Sequence, residues 1–289
     1  MLNKIILGSA NFNQSYGIKK NLIREKQIKK LFNLAKSNGI KTIDTSPLYG
    51  ESEKIIGRLN NKRFKIISKI PRPPKKIKKN DVQKWLKNTV TTSLRNLRIK
   101  KFECLLIHHA DSLLGKNGYE IYREIKNMKK SNISNKIGIS VYDFRLLGKI
   151  LKKFKFDLIQ APLNILDQRL VSSGWLKKLK KEKIEVYVRS IFLQGTLLLK
   201  HYQLPKKLKK LSKNWKIWES WLKKNKLNSL QVCLSYIFQQ KQLDGIILGF
   251  NSKNQLNEVL KFKQIKRNFL LPKLNIKNKK LIDPREWNN

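Results

Sequence analysis

FECLLIHHADSLLGKNGYEIYREIKNMKKSNISNKIGIS, residues 102–140, decides the fold. It opens on an apolar run of strand length, FECLLIH (102–108), and closes on a second, NKIGIS (135–140). Between them, residues 118–131 read as an amphipathic helix. Two apolar strands joined through a helix imply parallel pairing by a right-handed crossover.

The same unit recurs outward in both directions. Further strand candidates are KIILG (4–8), IKTID (40–44), FKIISK (64–69), FDLIQ (156–160), IEVYVRS (184–190) and DGIILG (244–249). Helical patterns fall near 25–38, 51–59, 80–97, 143–154, 169–182, 206–240 and 253–265. The stretch 206–240 is long for one crossover and predicts two helices broken at Asn225 to Asn228. Eight strand–helix units in under 300 residues fit the α/β class as one (β/α)8 TIM barrel. A doubly wound open sheet is the alternative, but no GxGxxG follows an early strand. No interdomain linker is visible, so 1–289 reads as one domain. Its tail from about 266, with Pro272 and Pro284, is expected to run over the surface.

Composition narrows the class. The 289 residues include 65 Lys or Arg and 19 Asp or Glu, a net charge of +46, which first suggests a nucleic-acid partner. A hydrophobic fraction of 40% is too high for a disordered basic tail. The cations recur between Leu, Ile or Trp at helical spacing, as in WLKKLKKEK (175–183), the pattern of a solvated outer helix face. A drift toward Lys, Asn and Ile raises the charge without selection for a partner, so nucleic-acid binding is the lesser reading. Cys104 and Cys233 cannot build a disulfide framework, and no Cys/His cluster suggests zinc or another metal. Both are expected as buried free thiols. The N-terminal apolar run is too short for a signal core, and nothing approaches a membrane span. The expectation is a cytoplasmic protein, monomeric or a small homo-oligomer, with no membrane partner.

A barrel places its chemistry at the C-terminal ends of its strands. There the chain puts Asp44, Lys69, His108, Ser140, Gln160 and Arg189, six polar residues at one topological position. Tyr49 lies just past the second strand. A Tyr is too weak an acid for easy proton exchange at neutral pH, unless an adjacent ammonium favours its phenolate. A carboxylate would keep that Lys charged, and a neutral His can orient a carbonyl oxygen. The set makes a general acid for a C=O whose carbon is attacked by something else, such as a hydride from a bound nicotinamide. His109 should point away from His108, His201 should be solvated, and Trp215, Trp218 and Trp221 should form a buried helix face.

These residues resemble the aldo-keto reductase family over nearly the whole chain. IDTSPLYGESEKIIG (43–57) is similar to the family signature of Asp-Thr-Ala, then Tyr-Gly, Ser-Glu and Gly. LLIHHAD (105–111) resembles its strand ending in a catalytic His, and IGISVYD (137–143) the segment whose Ser meets the nicotinamide carboxamide. The resemblance implies Tyr49 as proton donor, Lys69 as its pKa-lowering partner, Asp44 as orienting carboxylate and His108 as carbonyl-orienting group. It implies that Ser140 and Gln160 hold the carboxamide, and that RSIFLQGTLL (189–198), with Leu193 and Gly195, wraps the pyrophosphate. GFNSKNQLNEV (249–259) would meet the adenosine side through Gly249, Ser252, Gln255 and Glu258. Val141 and Arg189 depart from the family pattern, Arg189 standing where an aromatic usually stacks on the nicotinamide. A guanidinium plane can also stack on a ring. Gln255 stands where many members have an Arg for the 2′-phosphate, with Lys253 nearby as another charge.

The resemblance thus implies an NADPH-dependent reductase of a small-molecule aldehyde or ketone, with NADH open as cofactor. Similar sequences with FLQG after strand seven are associated with bacterial surface-glycan pathways, which implies a sugar-derived carbonyl. A nucleotide-binding regulatory protein on the same fold is the alternative. A Schiff-base aldolase using Lys69 is weaker, because Asp44 would keep that amine protonated.

Overall fold

The computed structural model describes residues 2–12, 23–60, 62–265, 270–272, 274 and 279–288. Eight parallel strands close into a barrel in chain order: β1 (Ile5–Gly8), β2 (Thr42–Asp44), β3 (Lys65–Ile70), β4 (Phe102–Ile107), β5 (Ser134–Ser140), β6 (Leu158–Pro162), β7 (Glu185–Arg189) and β8 (Gly245–Gly249). β1 pairs with both β2 and β8, which completes the closure. The predicted (β/α)8 barrel is the observed fold, and the open sheet is not.

The outer layer consists of α1 (Glu25–Ser37), α2 (Ser52–Leu59), α3 (Val82–Leu97), α4 (Gly118–Lys130), α5 (Phe144–Leu151), α6 (Arg169–Ser172), α7 (Trp175–Lys181), α8 (Ser212–Lys224), α9 (Ser229–Gln239) and α10 (Lys253–Leu260). Their apolar stripes face the strands. In α7, Leu176 and Leu179 are buried while Lys177, Lys178 and Lys181 are exposed. α8 and α9 are the expected pair, separated near Asn225 to Asn228.

Several expectations shift by a few residues for local reasons. The pattern 169–182 is two helices, because Gly174 takes a φ of 78°, which a continuous helix excludes. Residues 206–211 form a 3-10 turn before α8. Ile40 leaves β2 because its N–H closes on the Ala35 carbonyl at the end of α1. The tail is not wholly superficial. Trp287 is buried, its indole N–H donates to the Leu281 carbonyl at 3.2 Å, and Lys207 donates to the Trp287 carbonyl. Residues 18–22 of the first basic run and 266–269, 273 and 275–278 of the tail lie outside the described residues.

Among the described residues two apolar cores result. The larger lies between strands and helices and includes Trp215 and Trp218. Trp218 stacks on Trp221 at 5.6 Å between ring centroids. The smaller fills the barrel with Ile6, Ile67, Cys104, Leu106, Leu158 and Ile247, backed by Tyr187. Cys104 and Cys233 are free and buried, and burial pushes both thiols up in pKa. At the β5–β6 seam a Cβ on Gly138 would lie 2.2 Å from the Leu158 carbonyl oxygen, so only glycine fits there. Among the described residues no helix is long and apolar enough to cross a membrane.

Candidate active site

The strand period of two builds the site directly on the inner core. Two residues past inward-facing Ile67 comes Lys69; past Leu106, His108; past Leu158, Gln160; past Tyr187, Arg189. Ser140 ends β5 in register with Gln160, and Asp44 ends β2. Polar side chains thus cap a dry plug of apolar ones, at the C-terminal mouth.

Asp44 and Lys69 are 4% and 2% exposed, and they pair. The Lys69 ammonium donates to Asp44 Oδ2 at 2.6 Å and to the Thr45 carbonyl at 2.8 Å. Gln160 Nε2 donates to Asp44 Oδ1 at 2.8 Å. One carboxylate therefore ties the Lys to the residue expected at the carboxamide, across 116 positions of sequence. Burial lowers the Lys69 pKa and the Asp44 charge opposes that.

Tyr49 is only partly exposed at the mouth. The Lys69 ammonium sits 5.0 Å from its ring centroid, over the ring. The expected lowering of the phenol pKa is not what this arrangement produces. Burial raises it first, the Asp44 carboxylate adds to that, and the Arg189 guanidinium opposes. The phenol is held as the protonated form, the form that can donate.

His108 meets Tyr49 edge-on, with ring centroids 6.0 Å apart. Its Nδ1 lies 3.2 Å from Ser46 Oγ, which itself accepts from the Leu48 N–H at 3.2 Å. The Ser46 hydroxyl can donate to Nδ1, an arrangement that puts the proton of a neutral imidazole on Nε2. Burial, then the Lys69 charge, then His109 and Arg189, take the His108 pKa from 6.5 down to about 2. His108 is therefore a neutral group that can donate to a carbonyl oxygen.

This depression has a stability consequence. The unfolded chain binds the extra proton below about pH 6.5 and the folded chain does not until far lower. Stability contributed by neutral His108 is present above that pH and is lost as the pH falls. His108→Gln should flatten the loss by up to about 1.4 kcal/mol per pH unit, read from urea midpoints between about pH 7 and about pH 5. Equal acid sensitivity of the two proteins would rule out a neutral, half-buried His108.

The remaining expected residues fall into three groups. Ser140 and Gln160 are paired in register and buried, as neighbours at the mouth. Arg189 donates to the Val141 carbonyl at 3.2 Å and to Ser140 Oγ at 3.4 Å, and its guanidinium lies 3.8 Å from the Tyr142 ring centroid. The loop after β7 is left-handed at Ser190, Leu193, Gln194 and Gly195, with φ of 61°, 47°, 53° and 88°. Leu193 is fully buried, so only its backbone can face a ligand. The indole N–H groups of Trp215 and Trp218 hold this loop by its Thr196 and Leu197 carbonyls. Gly249 is exposed at the end of β8. Ser252 caps α10 by accepting from the Gln255 N–H, and the Gln255 side chain accepts from the Asn251 N–H. Glu258 is exposed and lines a separate groove of about 1050 Å³ with Lys200, Lys223 and Lys261.

Sequence reasoning missed Ser46 and Tyr142, which orient His108 and Arg189. It also missed Asn11, which donates to the Phe250 carbonyl at 2.8 Å and to Asn251 Oδ1 at 2.7 Å, joining the first and last loops. His109 stacks obliquely near His108, 5.1 Å between centroids. His201 is not simply solvated: its Nδ1 lies 2.8 Å from a Glu219 carboxylate oxygen.

Among the described residues, Ser9 Oγ, Asn11 Oδ1, Thr45 Oγ1, Ser112 Oγ and Gln160 Oε1 are buried with no hydrogen-bond partner. Ser9, Asn11, Thr45 and Ser112 lie in the segments that follow β1, β2 and β4, and Gln160 lies within β6. Buried polar atoms are normally paired, and of these five Gln160 Oε1 belongs to the residue in register with Ser140 at the mouth. Among the described residues, no three His, Cys, Asp or Glu gather as metal ligands.

Comparisons with known proteins agree with this fold. The model of the aldo/keto reductase family matches residues 4–268. The holo form of the aldo-keto reductase AKR11C1 from Bacillus halodurans superposes with a TM-score of 0.71 at 17% identity, covering 91% of this chain and 88% of that one. A Pseudomonas aeruginosa structure described as an aldo-keto reductase superposes at 0.64 with 18% identity, covering 89% and 88%. No curated protein matches the sequence. The chain belongs to the aldo/keto reductase family of NAD(P)H-dependent oxidoreductases.

Proposed function

We propose that the chain reduces an aldehyde or ketone to an alcohol with NADPH, and that Tyr49 supplies the proton to the carbonyl oxygen. The observation that carries the reading is the Asp44 carboxylate joining Lys69 to Gln160, with Tyr49 and His108 over it. Because Asp44 takes the Nε2 of Gln160, the unpartnered Oε1 is left as an acceptor at the mouth. An acceptor there, with Ser140 Oγ beside it, fits a carboxamide, and this fit supports a nicotinamide at that end. The left-handed loop 190–195 and the capped start of α10 are the residues that would hold the rest of the cofactor. When bound, the cofactor supplies hydride.

The chain's own residues do the rest. His108, neutral, donates to the carbonyl oxygen and orients it. Tyr49, held protonated, delivers the proton. Lys69 stays charged by its pairing with Asp44 and stabilises negative charge that develops on the phenol oxygen. Exposed Lys253, at the start of α10, supports NADPH over NADH. A sugar-derived carbonyl is the substrate class we favour.

The test mixes the protein with NADPH and a panel of simple and sugar aldehydes and follows the reduced-nicotinamide absorbance. Steady loss of absorbance with at least one carbonyl is expected. Neither turnover nor nucleotide binding would sink the proposal. Tight binding without turnover would identify a nucleotide sensor on the same barrel.

A further inference from the structure

Arg189 stands apart from the other charged groups of the mouth. Lys69 is neutralised by Asp44, and His108 is neutral. Among the described residues no carboxylate pairs with Arg189. Yet the guanidinium is fixed. One face lies on Tyr142, and Nη2 is held by the Val141 carbonyl and Ser140 Oγ.

The register shows what it crosses. Gln160 of β6 pairs with Ser140 of β5 on one side and Tyr187 of β7 on the other. Arg189 reaches from β7 over the end of β6 to β5, so its charge lies above the residue carrying the unpartnered Oε1. A ring whose carboxamide engages Gln160 and Ser140 must lie within a few ångströms of this guanidinium, since Nη2 is already 3.4 Å from Ser140 Oγ. The nicotinamide ring is neutral when reduced and carries a positive charge when oxidised. The phosphates and sugars are the same in both forms, so a fixed cation at the ring acts on their difference alone.

We infer that Arg189 makes this site select its cofactor by oxidation state, holding the neutral reduced ring at least about tenfold more tightly than the cationic oxidised one. The inference rests on the reading of Ser140 and Gln160 as the carboxamide pair. Repulsion between unit charges about 5 Å apart near a protein surface is ample for a tenfold effect. By linkage, the bound couple shifts about 30 mV toward the reduced form for each tenfold. What the enzyme gains is discharge of the spent nucleotide, at the expense of a slightly weaker bound reductant.

The experiment titrates wild type, Arg189→Gln and Arg189→Lys with NADPH and NADP+, and in parallel with NADH and NAD+, following tryptophan fluorescence. Gln keeps a planar donor but loses the charge; Lys keeps the charge but loses the plane. The expected result is a ratio of oxidised to reduced Kd of about ten or more in wild type, falling about tenfold in Arg189→Gln through tighter binding of the oxidised form, and largely kept in Arg189→Lys. Equal affinity of wild type for both forms would overturn the inference without any variant. So would an unchanged ratio in Arg189→Gln, or a ratio lost as fully in Arg189→Lys. Binding of none of the four nucleotides to wild type would overturn the cofactor reading itself, and this inference with it.

Discussion

Tyr49→Phe should reduce carbonyl turnover by roughly 10²- to 10⁴-fold while leaving the fold and NADPH affinity nearly unchanged. The substitution removes one hydroxyl from a side chain whose ring already fills its place between the Lys69 ammonium and the His108 edge. Burial keeps the phenol protonated, so its proton is present throughout the working pH range. The barrier to losing that proton must fall only as the reaction proceeds, with the Lys69 ammonium 5.0 Å from the ring centroid to favour the developing phenolate. The other candidate donor, His108, is poorly placed to substitute, because its neutral N–H is a far weaker acid than an imidazolium. The measurement is kcat with a responsive aldehyde beside an NADPH titration. A phenylalanine variant that reduces carbonyls at the wild-type rate would remove Tyr49 from the chemistry.

The strand–helix order was legible because buried parallel strands read as unbroken apolar runs and crossover helices as one-sided stripes. Boundaries were less so. FDLIQ suggested a strand over 156–160, whereas β6 is Leu158–Pro162, since its limits are set by pairing with β7 rather than by its own composition. The site residues at strand ends were legible for a related reason: a polar residue two positions beyond an inward apolar one must sit at the mouth. What joins them was not. Ser46 meets His108 across 62 positions and Gln160 meets Asp44 across 116, and neither spacing exists before the barrel closes. The charge of +46 turned out to be mostly peripheral, with the lysines of α7 on its solvent side. The informative charges are the few that are buried, and of these the acids matter most, because each needs a partner.

Asp44→Leu should be the most disruptive single substitution at the site. It leaves the Lys69 ammonium buried without its carboxylate and frees Gln160 Nε2 from its acceptor. Removing one partner of a buried pair costs about 3 to 5 kcal/mol. Lys69→Met should be destabilising for the converse reason, because Asp44 then keeps only Gln160. The double variant Asp44→Leu, Lys69→Met removes both charges from a site that sits directly on the apolar plug of Ile67 and Leu158. It should regain most of the lost stability, since two unpaired charges have been replaced by two apolar groups. It should regain none of the activity. The carboxylate that positions Gln160 is gone, and so is the ammonium that faces the Tyr49 ring. Urea midpoints and turnover of the four proteins therefore separate what the pair does for folding from what it does for chemistry. If the double variant is as unstable as the worse single one, the pair is not an isolated charge couple. If it is both stable and active, the role assigned to the pair is wrong.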